Sequence, residues 1–168
     1  VLTSTPIMYF ASRYLENDGP DKDKVDGIVE ITASHLPGEQ NGFKPTQGTV
    51  NFTSAEMQVW LQRTHDLIDQ KFYEVYVSDD QLAQKVTAQP VVTAYHVMLA
   101  AALEGSDEWL ALVDQVENNE ISLKQAIEAI RPRVEKYIAT KPLKGMKFTA
   151  DSGYGSMGPI AGSLMVGM

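Results

Sequence analysis

The chain contains no cysteine among its 168 residues, which removes disulfides, thiolate nucleophiles and sulfur-ligated zinc together. It also has no apolar run long enough for a bilayer. The most apolar stretch, residues 90–104, spans roughly fifteen residues where a crossing helix needs about eighteen or more. Histidine is scarce, with His35, His65 and His96 the only imidazoles available to a metal or a proton-transfer step. Neither a basic lead nor a long apolar segment opens the sequence, so no secretory signal is expected, and the expected location is the cytoplasm or the interior of a virus-like particle. A chain of this length can bury a core without a metal or disulfide staple.

Charge is present but uneven. The net charge is −8, and residues 90–120 carry six acidic and no basic side chains, whereas residues 121–168 hold seven basic and three acidic ones. An acidic body with a basic end can attract a second copy of itself head to tail.

The fold class expected from these patterns is mainly α, a compact bundle of about five to six helices around a buried central helix over 90–104. Pro90 suits its first turn and Gly105 its C′ position. Only Thr93 and His96 interrupt its apolar surface before Glu104, so cover on most sides is expected. Thr5-Pro6 opens an earlier helix through Asn17. Thr53-Ser-Ala-Glu56 and Ser122-Leu-Lys-Gln125 have the form of capping boxes, and Ser78-Asp-Asp-Gln81 and Ser106 add two further N-terminal signals. Pro132 is expected to kink or split the last helix. β-Branched and aromatic residues in 28–33 and 49–52, with glycines and prolines between them, suggest a small β-hairpin within 28–52. The expected organisation is an N-terminal helix and hairpin arm (1–52), a bundle (53–140) and an extended C-terminal arm (141–168).

No motif specifies a reaction. Gly153-Tyr-Gly-Ser-Met-Gly158 spells G-x-G-x-x-G, but Pro159 follows and the chain leaves no room for the helix and second strand of a dinucleotide site. Placing Gly27 at the sixth position of a calcium loop puts Lys22 and Lys24 where acids belong. His65 and Asp69 lie one helical turn apart, yet such surface pairs are common without function. Ser152 and Ser156 have no neighbouring base. No metal and no cofactor are therefore expected.

The arm beyond Lys141 holds six of the twelve glycines and four of the seven methionines. Phe148, Tyr154, Met157, Ile160, Leu164 and Met165 are apolar residues spaced by glycines, the pattern of a segment ordered by a partner. The leading expectation is a non-enzymatic structural subunit of an oligomeric assembly, by analogy of design a virion protein, whose partners are copies of itself or other subunits. A second reading is a small enzyme or ligand-binding domain with a pocket near His65 or His96. A third is a nucleic-acid-binding subunit that uses Lys141, Lys144 and Lys147.

Overall fold

A computed structural model describes residues 4–16, 25–33, 36, 37, 39–71, 89–149, 151 and 162. In chain order the elements are α1 (Thr5–Glu16), β1 (Gly27–Thr32), β2 (Gly42–Gln47), β3 (Val50–Asn51), α2 (Ser54–Asp69), α3 (Gln89–Glu104), α4 (Asp107–Glu117) and α5 (Leu123–Ala139). They fall into two compact units, one of Val1–Val25 with Ala88–Met168 and one of Asp26–Thr87.

The first unit is helical. Ile7, Phe10 and Tyr14 of α1, and Ile127, Ile130 and Val134 of α5, recur at the three- and four-residue steps that form one helix face. Both sets close on α3, whose Ala94, Ala100 and Ala101 are fully buried. Small side chains there let neighbouring backbones approach, while the larger residues of α1 and α5 fill the space. Phe10 stacks on Tyr14 and meets Tyr95 edge-on, each at 5.3 Å between ring centroids. The cover of α3 is less complete than its composition implies, since Thr93 and Leu103 are exposed.

Capping sets the ends of these helices. The Ser106 hydroxyl accepts from the Trp109 amide, and Ser122 and Gln125 exchange the two bonds of a capping box. Of the kink or split expected at Pro132, the split does not occur, and α5 runs through it as one helix. Pro132 sits on the exposed side, where the Glu128 carbonyl that loses its amide partner can face water. At the C-terminal ends, Gly105, Asn119 and Lys141 have φ of 65°, 57° and 52°. The Asn119 amide donates to Val116 C=O and the Glu120 amide to Gln115 C=O, the paired bonds that close a helix when the next residue turns left-handed.

The second unit holds a three-stranded antiparallel sheet, in the order β1-β2-β3, and α2. β1 and β2 pair from Gly27↔Gln47 to Thr32↔Gly42. The Gly48 amide donates to Asp26 C=O at 2.7 Å, so by alternation Pro45, opposite Val29, falls at a position whose nitrogen points away from β1. β3 pairs only with Thr46 and Gln47, so no ladder bond is lost there. A proline can therefore lie inside the middle strand. Sequence reading placed the second strand at 49–52 because it took Pro45 and the flanking glycines as breakers.

The two sheet faces differ in an unusual sense. Ile28, Glu30 and Thr32 share one face with Lys44 and Thr46, and Glu30 and Thr46 are buried. The opposite face exposes Val29, Ile31 and Phe43 at 55%, 63% and 65%. α2 starts from a complete capping box, with the Thr53 amide donating to Glu56 Oε2 at 2.7 Å, and ends at Asp69.

The expectation of a mainly α bundle is thus corrected. Five helices and a three-stranded antiparallel sheet among the described residues make this a mixed α/β chain. Residues 78–88, where the Ser78 signal leads to the expectation of a short helix, and the arm from residue 152, except Gly162, lie outside the described residues.

Candidate active site

The hairpin of β1 and β2 holds the buried polar side chains of the second unit among the described residues, Glu30 and Thr46. Its anchor is Thr46, whose buried hydroxyl donates to Gly48 C=O at 2.9 Å and accepts from the Ile28 amide at 3.3 Å. Gly27 lies against the same strand. A methyl group there would collide with the Thr46 carbonyl oxygen, so the strands can approach this closely only because residue 27 has no side chain.

This register also fixes where the connection of the hairpin begins and ends. Thr32 closes β1 opposite Gly42, and the connection 33–41 leaves from that end. It turns twice, with Leu36 N–H donating to Ala33 C=O at 2.8 Å and Gln40 N–H to Pro37 C=O at 2.9 Å. Ser34 and His35 belong to this connection by sequence, although both lie outside the described residues. Lys44, three residues beyond its other end, is exposed and shares the Thr32 face. A hydroxyl, an imidazole and an ammonium thus belong to one strand–turn–strand segment. Those are groups that can accept, donate and neutralise a phosphoryl group.

The first unit has a cavity of about 440 Å³ between α1, α3 and α4, with Phe10, Tyr95 and Trp109 among its lining residues. Neither His65 nor His96 lines it. His65 is exposed on α2. His96 is half-buried on α3, its Nε2 has no hydrogen-bond partner among the described residues, and burial lowers its pKa below the ordinary 6.5. The cavity of the first unit is thus not the pocket suggested beside either histidine, and the two histidines belong to different units.

Lys141, Lys144 and Lys147 are exposed, as is Phe148. Tyr154, Met157, Ile160, Leu164 and Met165 lie outside the described residues. No group of three or more potential ligands among the described residues could hold a metal ion. No helix among them is long and apolar enough to cross a membrane.

Residues 2–70 match the family model for phosphoglucomutase/phosphomannomutase, alpha/beta/alpha domain I. No curated protein matches the chain. No solved structure matches it either. The matched segment covers α1, the whole sheet and α2. It overturns the expectation of a non-enzymatic structural, virion-type assembly subunit, because the similarity is to a family of phosphoryl-transferring enzymes. It equally corrects the mainly α fold class, since the matched domain is described as alpha/beta/alpha.

Sequence reasoning weighed Ser152 and Ser156 as nucleophiles and dismissed them for want of a base. It treated His35 only as one of three imidazoles. The overlooked signal was Ser34 directly before His35, in a glycine- and proline-marked turn after a β-branched strand.

Proposed function

We propose that this chain carries the phosphoryl-transfer segment of a phosphohexomutase-like enzyme, with Ser34 as the hydroxyl that takes and returns the phosphoryl group. The observation behind this reading is that the family match over residues 2–70 spans the hairpin connection holding Ser34 and His35, with Lys44 beside it. A mutase must move a phosphoryl group from one sugar oxygen to another. A protein hydroxyl divides that move into two transfers of one kind.

In the first transfer, the P–O bond to Ser34 Oγ breaks as a bond forms to a free sugar hydroxyl, whose proton leaves with a nearby base. The second is the reverse. The phosphoryl group on the other sugar oxygen passes to Ser34 Oγ, and the oxygen it leaves takes up a proton. The enzyme ends as it began. His35 is the neighbouring group able to move that proton, and the Lys44 ammonium would offset charge on the transferring phosphoryl oxygens.

The test has two readouts. Incubation with glucose 1,6-bisphosphate should add about 80 Da, a single phosphoryl group, to the wild-type protein at Ser34 and nothing to Ser34→Ala. Interconversion of glucose 1-phosphate and glucose 6-phosphate should fall at least ~10³-fold in Ser34→Ala and about 10- to 100-fold in Lys44→Met. A Ser34→Ala protein that still turns over, or a wild type that neither accepts phosphate nor turns over, defeats the reading.

A further inference from the structure

We propose that the cavity of the helical unit is a binding site for an aromatic α-amino acid. Its volume, about 440 Å³, lies within the range of small-molecule pockets. Its floor is aromatic and buried, built from Phe10 of α1, Tyr95 of α3 and Trp109 of α4, with the flexible Met98 alongside. Such a surface takes a planar ring by edge and face contacts.

Two charged residues line the same cavity and are solvent-exposed, which places them at its mouth. Arg13 stands in the last turn of α1 and Glu117 ends α4. Neither takes part in any ion pair among the described residues. They belong to different helices and form no salt bridge with each other. A ligand that satisfies both must carry a carboxylate for the Arg13 guanidinium and an ammonium for Glu117, with an apolar ring behind them. The C-terminal end of α4, where carbonyl oxygens accumulate negative charge, adds to the preference for a cation beside Glu117.

An α-amino acid with an aromatic side chain joins these three features through one carbon. A plain hydrocarbon would leave both charges at the mouth unused. A hexose phosphate would set a dianion beside Glu117 and a hydroxyl-covered ring against Phe10 and Trp109. The proposal uses residues of the helical unit only, none of which takes part in the proposed phosphoryl chemistry.

The experiment is calorimetric titration of the full chain with L-phenylalanine, 3-phenylpropionate, phenethylamine and glucose 6-phosphate. L-Phenylalanine should bind saturably, and the two analogues, each lacking one charge, should bind at least ~10-fold more weakly. Arg13→Met should weaken L-phenylalanine about 10-fold, and Glu117→Gln should abolish its advantage over 3-phenylpropionate. Val113→Trp, which fills the cavity, should remove binding, with circular dichroism confirming the fold. Ser34→Ala should bind like wild type. Failure to saturate with L-phenylalanine, equal affinity for all three aromatic compounds, unchanged binding in Arg13→Met, or tighter binding of glucose 6-phosphate each overturns the proposal.

Discussion

His96 shows how one side chain can make stability depend on pH. Burial is the cause of its lowered pKa, and its Nε2 lacks a hydrogen-bond partner among the described residues. The folded state therefore favours the neutral ring. Between the depressed folded pKa and the unfolded value near 6.5 the unfolded chain binds more protons, so stability is full above that window and falls as pH drops through it. His96→Leu should flatten the loss of thermal stability between about pH 7 and pH 5. If its pH profile parallels wild type, the titrating group lies elsewhere. Glu56 behaves in the same sense for a different reason. Its pKa is lowered first by the bond from the Thr53 amide and then by the Thr53 hydroxyl, so the cap weakens in acid.

At this scale the sequence showed the caps but not the site. Thr53 with Glu56 and Ser122 with Gln125 are legible because a cap is a contact between residues three apart. Ser34 and Lys44 stand ten residues apart in the sequence, with no helical or strand period linking them, so no local spacing marks them as a pair.

Among the elements, the β1–β2 hairpin sets the geometry of the candidate active site, and Gly27 sets the hairpin. Its Cβ position is occupied by the Thr46 carbonyl, a backbone group that cannot rotate aside. Gly27→Ala should cost about 1–3 kcal/mol through overpacking. It should also impair the phosphoryl acceptance of Ser34 although it lies at the opposite end of the hairpin. Thermal melting and the phosphorylation assay would check both effects. A substitution without effect on either would mean that the register does not position Ser34.

The helices were readable from period and capping, and α3 was visible from its proline, its glycine and its apolar content. The strands were harder. Pro45 resembles a breaker until its place in the ladder is known. The exposure of Val29, Ile31 and Phe43, against a face that buries Glu30 and Thr46, reverses the alternation by which a half-buried strand is normally recognised.

At the scale of the whole chain, a discontinuous helical unit brackets a unit containing the sheet. The family match crosses this division, taking α1 from one unit and the sheet and α2 from the other. Composition could not reveal that arrangement, because the packing of α1 on α3 and α5 joins residues some eighty or more positions apart. In the helical unit, Arg133 of α5 grips Glu104 through Nε at 2.9 and 3.0 Å and reaches Glu108 at 3.4 Å. One guanidinium thereby ties the end of α3 and the start of α4 to α5.

The left-handed residues at the helix ends leave the molecule room to be hardened. Lys71, Asn119 and Lys141 hold positive φ where glycine, as at Gly105, meets no steric penalty. Lys141→Gly and Lys71→Gly should each raise the melting temperature, by relief of up to about 1 kcal/mol set against the greater freedom glycine gives the unfolded chain. A lowered melting temperature in both would show that these lysines contribute more than their backbone shape. Otherwise they offer an engineer a sturdier protein without touching Ser34, Lys44 or the aromatic cavity.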